Sequence, residues 1–277
     1  MPFALILSSF VAASRVGGGA QALALMPFRI DAAVVPSVLF GRHPGWGAPG
    51  GGTVEVETMR AMLDGIAANS LLGQTDAVIS GYFVNPEQVK LAGETIDRVR
   101  SAHPFVKVVV DPVLGDSGRG FFVSGEVCEA VRDELIPRAD LVTPNLFELE
   151  FLAGRPLADM AEVIEAARGL ARPVLVTSAP AREGEIGTLY VDQATTVLAA
   201  HRRLETVPQG TGDLICALYA AAMIEGLEAA AALERATRGM AEAVEAAEAW
   251  RAPELPIVAL GERLVRPTAE VRVEVLG

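Results

Sequence analysis

Apolar residues fall along this chain in two alternating rhythms. Short runs rich in Val, Ile, Leu and Ala read as strands at 3–12, 32–40, 76–83, 106–113, 140–143 and 173–178. Between and after them, apolar positions recur at helical spacing over 19–27, 54–70, 86–101, 124–136, 146–153, 160–170, 211–226 and 228–250. A hairpin is expected from 186–192 and 195–203, with the second, more polar arm as an edge strand. The stretch 256–264 reads as helix, and 270–276 alternates. The runs at 106–113 and 173–178 lack polar alternation, as strands covered on both faces do. Strand–helix alternation therefore predicts a three-layer α/β/α sandwich on a mostly parallel central sheet. No Pro/Ser-rich linker divides the chain, so one domain over 1–277 is expected.

Composition narrows the partners. Hydrophobic residues make up 51% and charged residues 21%, which places the chain among globular proteins. The net charge of -12, with no basic run, argues against nucleic acid. The N-terminal apolar stretch lacks a basic lead-in and reads as a buried first strand rather than a signal peptide. No stretch is long and apolar enough for a membrane span. Cys128 and Cys216 lie far apart, without metal-ligand spacing, and read as small buried hydrophobes in a reducing compartment, the cytoplasm.

Ligands of open α/β sheets bind beyond the carboxyl ends of the strands, so the residues there carry the candidate chemistry. Asp111-Pro112 ends one apolar strand. Asn145 and Glu148 follow another and, three apart at a helix start, share a face. Thr177 and Ser178 close a third. Gly210-Thr211-Gly212 then meets Asp213 at the mouth of an apolar helix. Glycine lets backbone N–H groups approach a ligand, and a helix N-terminus carries unpaired donors, so this is an anion cradle. Asp213 is either a first-turn acid suited to the helix dipole or a base beside a bound phosphate. Asn145 can be a plain cap, and Glu148 and Asp111 plain turn acids. Taken together, though, two carboxylates, an amide, hydroxyls and an anion cradle suit Mg²⁺ and, with a free carboxylate, phosphoryl transfer. No P-loop motif and no nucleophile elbow is present. The Gly-rich stretch 40–54 is read as a mobile loop over a site.

The ordered segments "SGYF", "VVVDPVLGDSGRGFF", "LVTPNLFELEFLAG", "VLVTS" and "GTGD" resemble the pyridoxal kinases of the ribokinase-like superfamily. The resemblance spans most of the chain and implies ATP-dependent phosphorylation of the 5′-hydroxymethyl of pyridoxal. It implies Asp213 as the base and the N–H groups of 210–213 as the cradle for the moving phosphoryl. Asp111, Asn145, Thr177 and Ser178 would serve the nucleotide, and Glu148 with Asp111 the Mg²⁺. Ser8, Val38, His43 and Tyr82 match positions lining the vitamin pocket, with Tyr82 flanking the ring. The resemblance also implies a homodimer and a monovalent cation such as K⁺.

Departures fall on the vitamin side. Where the family usually shows Y-G-x-V-G-N-S-A, this chain has "ASRVGGGA", and Arg42 and Pro44 replace Asn and Thr in the loop. A hydroxymethylpyrimidine-type kinase is the alternative acceptor reading, although that group usually carries Cys where Asp213 stands. A protein that binds pyridoxal or its phosphate with weak catalysis is a further alternative.

Overall fold

In the computed structural model, which describes residues 1–277, the sheet turns about β1 (Phe3–Val11). On one side β1 pairs in parallel with β2 (Asp31–Phe40), which carries the short antiparallel β3 (Gly51–Thr53) at the edge. On the other side lie β4 (Ala77–Ser80) and β5 (Lys107–Val110), also parallel. After β5 the chain makes a separate two-stranded hairpin, β6 (Gly115–Asp116) with β7 (Gly120–Phe121). The main sheet continues through parallel β8 (Leu141–Val142) and β9 (Val174–Ala179). Three antiparallel strands complete it: β10 (Glu185–Val191), β11 (Thr196–Arg202) and β12 (Arg272–Val275). The chain thus leaves β1 toward β2 and returns across it to β4, so a crevice opens beyond the carboxyl ends of β1 and β4.

Both faces of the sheet are covered, which explains the unbroken apolar runs. Leu5, Leu7, Val78, Val108 and Val110 pack with α2 (Val56–Ala68), α3 (Pro86–Ala102) and α4 (Gly125–Ala130). Their neighbours Ala4, Ile6, Ala77, Ile79 and Val109 face the opposite layer of α1 (Gly17–Leu25), α7 (Thr211–Ile224) and α8 (Ala229–Trp250). Each fully buried Leu or Ile contributes about 1.5–3 kcal/mol by its removal from water. α5 (Leu146–Ala153) and α6 (Met160–Gly169) cover β9 and β10 through Leu149, Val163, Val176 and Leu189. α7 is apolar on all sides because it is enclosed on all sides: every residue from 214 to 222 is buried. This mostly parallel α/β/α architecture is the expected fold.

Several local expectations are corrected. The arm at 195–203 is not the sheet edge: β12, the alternating stretch near the C-terminus, pairs with it along Val197–Ala200 and buries Thr196 and His201. β12 is the edge instead, and its Arg272 and Glu274 form ion pairs with Glu185 and Arg182. Charges of this kind blunt an open strand edge. The helix expected at 124–136 changes after Ala130 into a π-helical turn, Val131–Leu135, then a 3-10 turn containing Pro137, which cannot donate to a continuing helix. The segment 256–264 is divided between a short helix, α9 (Ile257–Leu260), and a 3-10 turn. The stretch 40–54 contains a 3-10 turn, Pro44–Trp46, before β3.

Candidate active site

α7 begins where the chain is squeezed against the segment after β1. Gly210 adopts φ +93, and a Cβ there would collide with the Arg15 carbonyl, so only glycine fits without strain. At Gly212 a Cβ would meet nothing within 4 Å, leaving open space over the first turn. Thr211 and Gly212 border a cavity, so free N–H donors of that turn lie beside open space. Asp213 follows at once. Its Oδ2 accepts the Gly17 N–H at 2.8 Å, the one bond tying the base candidate to the far side of the crevice. Part of Asp213 remains open to the cleft, yet enclosure by protein raises its carboxyl to about 6, with the Gly17 N–H pulling the other way.

Asp111, 7% exposed, sits at the end of β5. Burial and the charges of Glu148 and Asp213 push its carboxyl well above the usual range, offset in part by Thr143. Asp111 and Asp213 therefore share one electrostatic neighbourhood. The loop after Asp111 holds Val113 at φ +48, a strained value for a β-branched residue. The strain is held by α5. Asn145 and Glu148 form a reciprocal capping box, Asn145 Oδ1 accepting the Glu148 N–H at 3.0 Å and Glu148 Oε2 accepting the Asn145 N–H at 2.9 Å. Glu148 Oε1 accepts the Leu114 N–H at 2.7 Å, and Asn145 Nδ2 donates to the Gly115 carbonyl at 2.8 Å. Burial raises the Glu148 carboxyl to about 7 against those N–H bonds. These acids lie near one another, but no three His, Cys, Asp or Glu are placed to hold one metal ion. A cation at Asp111 would thus be coordinated largely by water and phosphate oxygens, as Mg²⁺ tolerates. The crowded, charge-repelled Asp111 fits such an ion.

Thr177 and Ser178 lie beside Thr211 and Gly212 in one cavity of about 100 Å³. Ser178, at φ +56, is a second strained non-glycine residue on the cleft. The far end of that cavity is walled by Ile186, Thr188, His201, Leu204, Val207 and Met240. Sequence reasoning missed this wall, because it is assembled from the hairpin, the following loop and α8. A roomier cavity of about 930 Å³ lies away from the cradle, between α8 and the β11–β12 edge, among the Arg263–Glu242 and Arg272–Glu185 pairs.

On the other side of the crevice, Tyr82 is held by its backbone. Its N–H reaches Ser8 Oγ at 3.3 Å, and its carbonyl accepts from Ser37 Oγ at 2.5 Å. Gln88, fully buried, donates to the carbonyls of Ser37 and Val54 and accepts the Val84 N–H. Ser8 and Val38 are themselves fully buried and present no surface to the cleft. Burial raises the Tyr82 phenol. His43 stands apart, on the rim loop, where its Nδ1 accepts the Gly45 N–H at 3.0 Å. Burial and Arg119 lower its pKa, with Glu254 opposing. Arg119, on the β6–β7 hairpin, donates to Gln209 Oε1 at 3.1 Å, so the hairpin is bonded to the loop leading into α7.

Residues 53–257 match the family described as phosphomethylpyrimidine kinase. The chain belongs to that family, among its pyridoxal kinases. It is similar to a pyridoxine/pyridoxal/pyridoxamine kinase of Bordetella avium, at 34% identity over 86% of this chain and 83% of that protein. It is 37% identical to pyridoxal kinase PdxY of Deinococcus radiodurans over 78% of this chain and 76% of that one. Among solved structures, pyridoxal kinase from Leishmania donovani in complex with ADP superposes with a TM-score of 0.91 at 25% identity, covering 99% of both chains. The fold is thus ribokinase-like. The matched family span holds this kinase's Tyr82, Asp111, Asn145, Glu148 and Asp213, whereas Ser8, Gly17, Val38 and His43 precede it.

Proposed function

We infer that this enzyme transfers the terminal phosphoryl group of ATP to the 5′-hydroxymethyl of pyridoxal, giving pyridoxal 5′-phosphate and ADP. The observation that carries the reading is a half-buried carboxylate, Asp213, in the first turn of a helix whose start, Thr211 and Gly212, borders a cavity. Asp213 accepts the hydroxyl proton as the oxygen–phosphorus bond forms. The bond to the bridging oxygen breaks, and the electron pair leaves with ADP. A carboxyl near 6 is ionised at neutral pH and is a stronger base than an ordinary carboxylate. The N–H groups of 210–213 stabilise charge on the phosphoryl oxygens.

In this reading the nucleotide base enters the cavity walled by Ile186, Leu204 and Met240, and its phosphates run past Thr177 and Ser178 toward the cradle. Asp111, Asn145 and Glu148 organise Mg²⁺ and the phosphates. Glu148 acts through the loop it anchors and through water, since both its oxygens already accept backbone N–H groups. Mg²⁺, when bound, neutralises charge on the phosphates. Tyr82 flanks the vitamin ring, His43 stands at the rim, and Ser8 and Val38, buried behind the surface, support the wall, Ser8 through the Tyr82 N–H. A K⁺ requirement, a homodimer of single-domain chains spanning 1–277, and a cytoplasmic location belong to the same proposal. No helix is long and apolar enough to cross a membrane.

The test is a dual assay with ATP and Mg²⁺: pyridoxal phosphate absorbance with pyridoxal, and ADP release with hydroxymethylpyrimidine. Pyridoxal phosphate should accumulate, and Asp213→Asn should lower kcat by about 10²–10⁴-fold while nucleotide affinity stays within a few-fold. ADP release with the pyrimidine alone would move the substrate and keep the mechanism.

A further inference from the structure

Residues 13, 14, 18 and 19 depart from the family pattern, and the three consecutive glycines, Gly17, Gly18 and Gly19, have no side chains to pack, leaving Val16 as the segment's buried apolar side chain. Glycine runs lose the most conformational freedom on ordering, so a segment of this kind needs an anchor. The structure supplies one from the opposite end of the chain. Glu254 Oε1 accepts the Ser14 hydroxyl at 2.5 Å and the Arg15 N–H at 2.9 Å. Ser14 is 4% exposed, so its hydroxyl is committed to that bond. Two residues on, Gly17 donates to Asp213. Between these points the Arg15 carbonyl is packed against Gly210. Residues 14–17 are thus a bridge, one end on Glu254 and the other on the proposed base.

The Glu254 loop is suited to act as a fixed point. Pro253 and Pro256 limit its backbone on either side, and Leu255 and Ile257, 1% and 0% exposed, hold it in the core. Gly17 also cannot relax by side-chain adjustment. It adopts φ +60, and a Cβ there would collide with Ser9. The N–H that orients Asp213 therefore depends on where Ser14 and Arg15 are held.

We propose that Glu254 is a positioning residue for phosphoryl transfer, acting through Ser14 and Arg15 on the Gly17 N–H and so on Asp213. The proposal depends on the reading of Asp213 as the base. It explains why this chain has Ser14 where the family usually has glycine: the hydroxyl is the extra donor to Glu254.

The experiment compares Glu254→Ala, Glu254→Gln, Ser14→Ala and Asp213→Asn in the full chain, using steady-state kinetics, thermal midpoints and the Gly17 amide resonance in ¹⁵N spectra. Glu254→Ala should lower kcat about 10–100-fold with KM for ATP within about twofold, the scale expected when a reacting group is displaced by about 1 Å. Glu254→Gln, whose amide oxygen still accepts both donors, should restore most of the rate, and Ser14→Ala should fall between. The Gly17 amide proton should move upfield in Glu254→Ala and stay near its native position in Glu254→Gln. An inactive Asp213→Asn beside a fully active Glu254→Ala overturns the clamp alone. A kcat loss with the Gly17 resonance unmoved also overturns it, since the effect would then be structural. Full turnover by Asp213→Asn overturns the assignment of the base, and the clamp's catalytic meaning with it.

Discussion

The two sides of the crevice are built differently. The proposed phosphate side consists of strand ends and helix starts: Asp111 after β5, Asn145 and Glu148 at the start of α5, and residues 210–213 entering α7. Its α5 start is closed by the local Asn145–Glu148 box, which also holds the loop at 114–115, and Asp213 reaches across the crevice to Gly17. The acceptor side depends on partners far along the chain: Ser8 with Tyr82, Gln88 with Ser37, and Glu254 with Ser14. Phosphate recognition needs N–H groups and carboxylates in a repeatable local arrangement, which a helix N-terminus provides. Recognition of a particular heterocycle needs side chains converging from several elements, so it can change by substitution at any of them. That agrees with where this chain departs from its family, at 13–19 and at Arg42 and Pro44.

Variants on each side can break that contrast. The largest further effect should come from the phosphate side. Gly210→Ala forces a Cβ onto the Arg15 carbonyl at φ +93 and should lower kcat on the order of 10²-fold, since it displaces cradle donors. An unchanged kcat would show that these N–H groups do not touch the phosphoryl. Next is the pH profile. Asp213 acts ionised and titrates at about 6, so kcat/KM should fall about tenfold per pH unit below that point and be flat above it. A flat profile down to pH 4.5 would remove Asp213 as the base. A smaller, one-sided effect is expected from Tyr82→Leu: KM for pyridoxal should rise roughly 3–10-fold, the scale of lost ring stacking, with KM for ATP unmoved. Equal changes in both KM values would mean that the two sides are not separable.

The smallest effect concerns the ligand-free fold. Asp111, Glu148 and Asp213 all hold their protons more tightly than ordinary carboxyls. Between pH 7 and the ordinary carboxylate range these three groups bind more protons in the native state than in the unfolded chain and raise stability as pH falls, while His43 and His201, which burial holds below the usual imidazole range, offset part of that rise. Carboxylates held below their usual range, such as Asp192 and Glu242, reverse the trend only at lower pH. Tm should rise by about 2–4 °C between pH 7.5 and 5.5, and Asp213→Asn should flatten part of that slope. A falling Tm over the same range would contradict the buried-carboxylate picture.

Much of this was legible in advance where the signal is local. The apolar run "VKVVV" ending at Asp111, the Asn145–Glu148 spacing and the 210–213 loop each state their element and its polar terminus within a dozen residues. Glu148 was readable as an acid on the right face, but its role as the cap that holds the loop of strained Val113 was not. The wall of the cavity beside Thr177 and Ser178 was hidden for a similar reason. Thr188 and His201 belong to strands whose burial depends on α8 and on β12, and the polar look of 195–203 suggested an exposed edge.

The sequence by itself determined the layered α/β/α plan and the strand ends and helix starts that carry Asp111, Asn145, Glu148 and Asp213, because these are properties of consecutive residues, and the ordered motifs indicated the kinase family. Only the tertiary structure decided that Gly17 orients Asp213, that Glu254 anchors the glycine segment and that Gln88 and Ser37 hold Tyr82. Those bonds join residues tens to hundreds of positions apart. Whether such a pair meets depends on the return of the chain across β1 and on the folding of the C-terminal helices over the sheet, which no local pattern encodes.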